Sequence, residues 1–376
     1  MKNEHVPTSA CARISLDAFR RNLQAVRSYV GPRVRIMAVI KADGYGHGMP
    51  QLARAAEEFG ITDFGVARAH EGVELRQHQP SASILVFEVP RPDTLRAALE
   101  HRLDLTTVSE ETTRALEDAA RVAGIKARVH VKVDTGMGRL GLPPASALGV
   151  VACVARSQWL ELAGAYSHFA TSEDPDQTFA RTQLSRFHEL LQAADRSGIS
   201  IPLRHMANSG AIISLPDSHM DLVRPGIMLY GYPPGFRMDE KYPVVPVMSL
   251  VSRVSFVKTV PAGTSISYGR RYFTGSDTTI ATVPIGYADG YPRALMGRAS
   301  ALVRGVRYPV VGTICMDQLM LDVGTDADVR VGDEVVLIGE SHSERITAWD
   351  VAETIGTIPY EITCVIAKRV PREYVR

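Results

Sequence analysis

The sequence predicts a (β/α)₈ barrel followed by a smaller, mostly β domain, and three observations support this. Before residue 235, about eight short apolar runs alternate with segments whose apolar residues recur at helical spacing. The first run, residues 36–40, is apolar throughout, as expected of a parallel strand that is buried on both faces. Beyond Gly231-Tyr-Pro-Pro-Gly235, strand-like segments follow one another between glycines and prolines.

The alternation leaves one competing architecture, a doubly wound open sheet. That fold commonly carries a G-x-G-x-x-G motif after an early strand, and no such motif stands there. We therefore predict a barrel over residues 1–235 and a β domain over residues 236–376, with the Pro/Gly-rich join as the boundary. Residues 1–14 could pack with the second domain.

The apolar runs place the barrel strands in order. Strands are predicted at residues 36–40, 64–67, 84–87, 103–108, 127–133, 160–168, 203–207 and 220–223. Before them, Phe19, Leu23 and Val26 lie on one face of a first helix that Asp17 could cap.

One helix between these strands has clear signals at both ends. Ser109 is a favourable N-cap, and Glu110 and Glu111 follow it in the first turn, where acidic side chains suit the helix dipole. Gly124 is expected to end this helix.

The second half of the chain is predicted to contain five strands and one helix. The strands are predicted at residues 247–257, 279–283, 301–311, 313–323 and 333–338. Thr347 and Asp350 have the spacing of a reciprocal N-terminal cap, and Gly356 is expected to end the helix.

Composition excludes several functional classes. The 376 residues are 45% hydrophobic and 22% charged, with a formal net charge of +1, so nothing favours nucleic acid or an anionic membrane as a partner. Residues 1–12 lack the apolar core of a signal peptide. The four cysteines are too scattered for a metal site or a disulfide framework: Cys11, Cys153, Cys315 and Cys364. We expect a cytoplasmic protein with reduced thiols.

Lys41 stands where the first barrel strand gives way to a loop. Glycines recur at Gly44, Gly46 and Gly48, and Pro50 then suits the first turn of a helix. This is the catalytic end of a βα unit. A lysine desolvated there has a lowered pKa and can act as a nucleophilic amine. The residues alone leave open the alternative that Lys41 only marks the exit of the strand into solvent.

Other barrel strands also end in polar residues. These residues are Lys132 with Asp134-Thr-Gly-Met-Gly-Arg139, His168, Asn208-Ser209-Gly210 and Arg224-Pro-Gly-Ile227. Ser209 and the backbone amides of Gly226 and Ile227 could form a phosphate cradle. Taken singly, His168 is more commonly a hydrogen-bonded core histidine, Arg139 a surface ion pair and Ser209 a turn residue. Their placement at one barrel mouth predicts a functional site.

The segment Ala38-Val-Ile-Lys-Ala-Asp-Gly-Tyr-Gly-His-Gly48 resembles the cofactor-lysine signature of the alanine racemases, which use pyridoxal 5'-phosphate. The resemblance extends through both predicted domains, and its further motifs are Lys132–Gly141, Ser167–Ala170, Arg224–Gly231, Ser267–Arg270, Gly286–Gly290, Cys315–Asp317 and Ile358–Ile362.

The resemblance implies roles for four residues around the cofactor ring. Lys41 would carry the cofactor and serve as one proton-transfer base, and Tyr268, on the second domain, would be the opposing base. Arg224 would hydrogen-bond the pyridine nitrogen. His168 would bridge Tyr268 and Arg224.

The resemblance also implies the substrate and phosphate contacts. Arg139 and the backbone N–H of Met316 would hold the substrate carboxylate, and Lys132 would orient Arg139, in many members as a carbamate. The phosphate would be surrounded by Tyr45, Ser209, Gly226, Ile227 and Tyr360. Tyr287 and Tyr360 would narrow the entrance. The implied assembly is a head-to-tail homodimer with shared active sites.

Two positions depart from the family pattern. Gly44 stands where the family usually has alanine, which loosens the loop without removing a chemical group. Thr313 stands where many members have an arginine that lines the entrance, so the charge of the entrance is left open. Glu173 and Asp174 could supply acids on the facing side.

The resemblance favours an alanine racemase that supplies D-alanine for the cell wall, with a serine or broad-specificity amino-acid racemase as the alternative. The bulky Tyr360 argues for a small substrate side chain. A non-catalytic pyridoxal-phosphate-binding protein would lack the β domain that carries Tyr268. A decarboxylase would carry a cysteine-based site that the sequence does not show.

Overall fold

The computed structural model describes residues 8–235 and 243–376. The predicted domain boundary after residue 235 adjoins residues 236–242, which lie outside the described residues, so its position stays a prediction. By contacts, the described chain divides into two compact units. Residues 19–44, 48–235 and 243–245 form the barrel unit, and residues 8–18, 45–47 and 246–376 form the β unit.

The barrel unit is an eight-stranded parallel sheet, which confirms the predicted barrel. Strand β1 (Ala10–Ser15) precedes it and belongs to the β unit. The barrel strands are β2 (Arg35–Val39), β3 (Asp63–Val66), β4 (Ser83–Val86), β5 (Asp104–Thr107), β6 (Ala127–Lys132), β7 (Leu160–Tyr166), β8 (Leu203–His205) and β9 (Leu222–Val223).

The barrel strands follow one another around the sheet in chain order, and β9 returns to pair with β2. Backbone bonds from Asp221 N–H to Arg204 C=O (3.1 Å) and from Arg224 N–H to Ala207 C=O (2.9 Å) join β8 to β9. The apolar run of β2 is buried from Ile36 to Val39, as expected where one face meets the barrel interior and the other the helices.

Most helices lie between the barrel strands. The described helices are Leu16–Val30, Lys41–Tyr45, Met49–Glu58, Ala69–His78, Pro92–Glu100, Glu110–Ala123, Pro144–Arg156, Thr178–Arg196, Ser209–Ser214, Ala348–Ile355 and Pro359–Cys364. No helix within residues 8–235 and 243–376 is long and apolar enough to cross a membrane.

The predicted helix ends are mostly correct. Ser109 caps its helix by accepting the N–H of Thr112 at 3.1 Å, and Gly124 ends that helix in the left-handed conformation. The predicted cap at Asp17 is wrong. The first helix begins at Leu16, and the hydroxyl of Ser15 accepts the N–H of Ala18 at 3.1 Å.

The β unit is built on a ten-stranded, mostly antiparallel sheet of the described residues. Its further strands are β10 (Met248–Arg253), β11 (Phe256–Val260), β12 (Ser265–Ile266), β13 (Tyr272–Phe273), β14 (Thr278–Val283), β15 (Ser300–Val303), β16 (Val306–Val311), β17 (Leu319–Gly324), β18 (Glu334–Ser341), β19 (Glu344–Ile346) and β20 (Arg372–Val375). Strand β1 lies between β10 and β20, antiparallel to the first and parallel to the second. Strands β12 and β13 form a separate hairpin.

Three of the predicted β segments are wrong in extent. Residues 247–257 form two strands because the chain changes partner, from β18 for β10 to β14 for β11. Residues 301–311 form a hairpin, because Arg304 and Gly305 both have positive φ and make a tight turn. Of residues 313–323, only those from Leu319 join the sheet. The helix that Thr347 caps and Gly356 ends is confirmed.

Candidate active site

The segment after β2 turns in the left-handed sense. The φ angles are 52° at Ala42, 52° at Asp43, 61° at Gly44 and 52° at Tyr45. Each non-glycine residue in this conformation costs about 1–2 kcal/mol. Such strain tends to be kept at functional sites, where the surrounding structure holds it in place. The turn begins at Lys41, the predicted cofactor lysine.

Side-chain carboxylates fasten this turn. Glu71 accepts the N–H of Ala42 at 2.7 Å, and Asp43 accepts the N–H of Met49 at 2.7 Å. Since Met49 is the first residue of the next helix, Asp43 also satisfies one of the free amides of that helix. The backbone that follows Lys41 is therefore fixed by side chains of the chain itself.

Tyr45 and Tyr360 are brought together within the β unit. Their ring centroids are 6.0 Å apart and the rings are tilted by 49°. Next to Tyr45, a side chain on Gly46 would meet the carbonyl oxygen of Thr363 at 2.1 Å, so only glycine fits there. Arg372 donates to the carbonyl of Gly46 at 2.9 Å.

Arg224 is the buried hub of the barrel mouth. Its guanidinium donates to Nδ1 of His205 at 2.8 Å, to the carbonyls of Ser167 (2.6 Å) and Met206 (3.2 Å), and to Nδ1 of His168 at 3.3 Å. A guanidinium has no acceptor, so both imidazoles accept at Nδ1 and carry their proton on Nε2. Burial lowers the pKa of Arg224 to about 10, which leaves the group charged at neutral pH.

A chain of buried polar groups continues from Arg224 into the barrel. His205 Nε2 lies 3.0 Å from Nδ1 of His130, and His130 Nε2 lies 3.6 Å from a carboxylate oxygen of Asp104. Burial opposes ionisation of Asp104, but His130 and Arg128 outweigh it and lower the pKa of this carboxyl to about 2. Sequence reasoning missed His205, His130 and Asp104.

Lys132 and His168 lie in the positive field of this mouth. Burial, with the charges of Arg224 and Arg139, lowers the pKa of Lys132 to about 7. Burial and the charges of Arg224, Lys132, Arg139 and Lys41 hold the pKa of His168 well below its usual range. His168 is therefore neutral at pH 7, and a large fraction of Lys132 is the neutral amine at that pH.

The predicted phosphate cradle has a defined geometry. The hydroxyl oxygen of Ser209 accepts the N–H of Gly226 at 2.9 Å and that of Met228 at 3.4 Å, with Ile227 between them in the chain. Because the oxygen accepts from both amides, the hydroxyl proton can still be donated to an anion. The structure thus brings Ser209, Gly226 and Ile227 together at the ends of neighbouring strands.

The β unit presents Tyr268, Tyr287 and Met316 as large exposed side chains, with exposed fractions of 74%, 42% and 52%. The N–H of Tyr287 donates to Cys315 C=O at 3.1 Å, and the N–H of Ala288 donates to Met316 C=O at 3.0 Å. The hydroxyl of Ser267, the residue before Tyr268, lies 3.4 Å from Sγ of Cys315. The three exposed residues therefore stand on adjoining loops.

Thr313 is buried, with 2% of its surface exposed. Its hydroxyl donates to the carbonyl of Tyr268 at 2.7 Å. Many family members have an entrance-lining arginine at this position, whereas the Thr313 side chain is uncharged and buried, so it supplies no charge to an entrance. Nothing in the one-dimensional pattern signalled the contact with Tyr268.

Family models match both halves of the chain. Residues 14–234 match the alanine racemase N-terminal domain, and residues 247–374 match the alanine racemase C-terminal domain. Fold and sequence therefore define a two-domain barrel isomerase. The chain belongs to the alanine racemase family, which confirms the resemblance read from its motifs.

Individual relatives are similar over nearly their whole length. The alanine racemase of Desulforamulus reducens is 44% identical over 97% of this chain and 98% of its own. Among solved structures, an alanine racemase of Clostridium difficile 630 has a TM-score of 0.94 at 36% identity, covering 98% of this chain and 96% of that one. The alanine racemase of Streptomyces coelicolor A3(2) has a TM-score of 0.92 at 40% identity, with 98% of each chain covered.

Proposed function

We propose that this chain interconverts L-alanine and D-alanine with pyridoxal 5'-phosphate as cofactor, using Lys41 and Tyr268 as bases. The observation that carries the proposal is the barrel mouth, where Arg224 is buried, charged and held by four acceptors. The positive charge of Lys41, in the same mouth, contributes to lowering the pKa of His168. The similarity to alanine racemases supports alanine as the substrate.

The residues of the barrel mouth fit the proposed cofactor. Lys41 offers an amine for the aldehyde, Arg224 a fixed cation for the pyridine nitrogen, and Ser209 with Gly226 and Ile227 a hydroxyl–amide cradle for the phosphate. Tyr45 and Tyr360 are proposed as further phosphate contacts. When bound, the cofactor supplies the electron sink that stabilises negative charge at Cα of the substrate.

Arg224 is proposed to keep the pyridine nitrogen unprotonated. An arginine gives up a proton only with difficulty, and the pKa of about 10 leaves Arg224 charged over the neutral range. A hydrogen bond from Arg224 would therefore orient the ring without protonating it. The weaker electron sink that results would limit side reactions such as transamination.

The two bases would act on opposite faces of the substrate. A racemase needs proton transfer on both faces, and we propose Lys41 for one and Tyr268 for the other. A phenol becomes a useful base when nearby positive charge stabilises the phenolate. Because His168 is neutral, the positive charge would come from Arg224, and His168 would only relay a hydrogen bond.

Arg139 and the backbone N–H of Met316 are proposed to hold the substrate carboxylate, with Lys132 orienting Arg139. The lowered pKa of Lys132 supports a carbamate, because only the neutral amine adds to CO₂. The addition forms a C–N bond, releases one proton and leaves a negative group beside Arg139 and Arg224.

The exposed Tyr268, Tyr287 and Met316 support a homodimer with shared sites. Large exposed apolar side chains that stand together commonly mark an interface. We propose a head-to-tail pair in which the β unit of one subunit completes the barrel site of the other, with Tyr287 and Tyr360 at the entrance. D-alanine made there would serve peptidoglycan synthesis.

Two measurements test the proposal. Borohydride reduction of the yellow protein should fix the cofactor to the peptide that contains Lys41, and a label on another lysine would reject that role. Incubation with a panel of L-amino acids, followed by chiral analysis, should give D-alanine as the main product. D-serine or a broad set of products would instead establish the alternative, a serine or broad-specificity racemase.

A further inference from the structure

Two hydroxyl groups tie the loop of Tyr268 to the loop of Cys315 and Met316. The hydroxyl of Ser267 donates to the carbonyl of Thr313 at 2.6 Å. In the other direction, the hydroxyl of Thr313 donates to the carbonyl of Tyr268 at 2.7 Å. We call this reciprocal pair of bonds the hydroxyl clasp. It fixes the backbone on both sides of the bond between Ser267 and Tyr268.

The backbone held by the clasp is strained. Ser267 has φ 67° and ψ −177°, a combination that essentially only glycine adopts readily. The loops also approach closely, since a side chain on Gly312 would meet the carbonyl oxygen of Ile266 at 2.7 Å. Conformations of this kind persist when neighbouring bonds hold them in place, and the clasp supplies two such bonds.

The clasp also reaches the loop that carries Met316. Sγ of Cys315 lies 3.5 Å from the carbonyl oxygen of Thr313 and 3.4 Å from the hydroxyl of Ser267. The carbonyl of Cys315 accepts the N–H of Tyr287. One set of short contacts therefore links the proposed base to the proposed carboxylate-binding amide.

The hydroxyl proton of Thr313 is committed to the backbone of Tyr268, and the side chain is 2% exposed. A role in contacting substrate directly does not fit this burial. The exposed neighbour is Tyr268 itself, which is 74% exposed and whose backbone the clasp holds.

We propose that Thr313 is a positioning residue for Tyr268, and that loss of its hydroxyl impairs proton transfer on the Tyr268 face of the substrate selectively. The inference rests on the proposed role of Tyr268 as a base. Thr313 would not touch the substrate, and its effect would pass through the carbonyl of Tyr268 and the conformation of Ser267.

The matched variants are Thr313→Val, which removes the hydroxyl at nearly constant volume, and Thr313→Ser, which keeps it. Thr264→Val is the control for loss of a hydroxyl elsewhere in the same unit, since Thr264 donates to the carbonyl of Pro261 at the same distance of 2.7 Å. Tyr268→Phe calibrates complete loss of the proposed base.

The readout must separate the two faces. Because the enantiomers have equal free energy, kcat/KM must fall equally in both directions and carries no such information. The ratio of solvent deuterium exchange at Cα to racemisation does carry it. For the enantiomer that Lys41 deprotonates, inversion requires Tyr268 to deliver a proton to the opposite face. If that delivery is slow, Lys41 reprotonates Cα on the original face more often. Solvent deuterium exchange without inversion then increases.

We expect Thr313→Val to raise this ratio about three- to tenfold for one enantiomer only, a factor that corresponds to the loss of one hydrogen bond. Thr313→Ser and Thr264→Val should keep the wild-type ratio. An unchanged ratio in Thr313→Val, or an equal change for both enantiomers, would overturn the positioning role. If Thr313→Val does not fold, Ser267→Ala removes the other bond of the clasp, and an unchanged ratio there has the same meaning.

A second readout needs neither cofactor nor turnover. In protein labelled with 3-fluorotyrosine and stripped of cofactor, the ¹⁹F resonance of Tyr268 is assigned by its loss in Tyr268→Phe. It should shift or broaden in Thr313→Val and stay as in the wild type in Thr313→Ser and Thr264→Val. An unaltered resonance in Thr313→Val contradicts the inference. Full racemase activity of Tyr268→Phe would reject the proposed base itself, and with it the reason for a positioning residue.

Discussion

Arg224 donates a hydrogen bond of 2.8 Å to Nδ1 of His205, and this bond sets the proton of the buried imidazole on Nε2. His205 can then donate only away from Arg224, towards His130. The direction of the hydrogen bonds from Arg224 through His205 to His130 follows from the fact that arginine cannot accept one.

The acid limit of stability should depend on Asp104. Its pKa is lowered to about 2, below the usual value of an aspartate, so the ionised form contributes stability above about pH 4 that is lost as the pH falls towards about 2. The contribution is about 2 kcal/mol. Asp104→Asn should unfold more easily at pH 6 and show a flatter decline between pH 4 and 2, as measured by urea unfolding. Parallel pH curves for the two proteins would contradict this.

Lys132 should take up CO₂. Its pKa of about 7 leaves a large neutral fraction at pH 8, and two neighbouring cations would stabilise the negative product. Protein equilibrated with ¹³C-bicarbonate should show a carbamate carbonyl resonance that disappears in Lys132→Arg. Lys126→Arg, a change of a lysine outside the barrel mouth, should leave the resonance in place. A resonance that survives Lys132→Arg would assign the carbamate to another amine.

Arg224→Glu should change the chemistry of the bound cofactor. A carboxyl group in place of the guanidinium can protonate the pyridine nitrogen and deepen the electron sink. We expect a new absorption band at long wavelength and a rise in transamination relative to racemisation. Arg224→Lys keeps a cation and should show neither change. Wild-type spectra in a folded, cofactor-loaded Arg224→Glu protein would argue against the proposed contact.

A shared site makes a definite prediction for mixed subunits. Lys41→Ala and Tyr268→Phe should each be inactive alone. If each site takes Lys41 from one subunit and Tyr268 from the other, a hybrid dimer has one intact site and one with both lesions. Random exchange should then restore roughly a quarter of wild-type activity. Absence of recovery, once mass spectrometry has confirmed hybrids, would place both residues in one subunit.

The barrel could be predicted because the signals for its strands and helix ends each lie within a short stretch of sequence. Apolar runs such as 36–40 report burial on both faces, and a cap such as Ser109 acts within one turn. Features that depend on distant partners were missed. The chain of polar groups from Arg224 to Asp104 joins four strands or their ends, so no short stretch of sequence contains it. The one local signal was the spacing of His130 and Lys132, which are two residues apart on β6 and therefore point to the same face of the sheet.

The candidate site shows the same division. The lysine at the end of β2 was visible as a change from an apolar run to glycines. The left-handed conformation of the turn could not be predicted, because alanine and aspartate disfavour it. Ala42 and Asp43 adopt it here because they are hydrogen-bonded to Glu71 and Met49. Thr313 could be recognised only as a departure from the family, since its contact with Tyr268 spans 45 residues of sequence.

The pairing of β1 has a consequence for the order in which the protein can be made. Ala12 lies beside Arg372, 360 positions later in the chain. The barrel strands can close once Val223 has left the ribosome, whereas β1 must wait for both of its neighbours. At usual rates of synthesis this delay is on the order of tens of seconds. During that time an early strand with Ala12 and Ile14 on its buried face lacks at least one of its two neighbours, and a nascent chain in this state is the form most exposed to aggregation and to capture by chaperones.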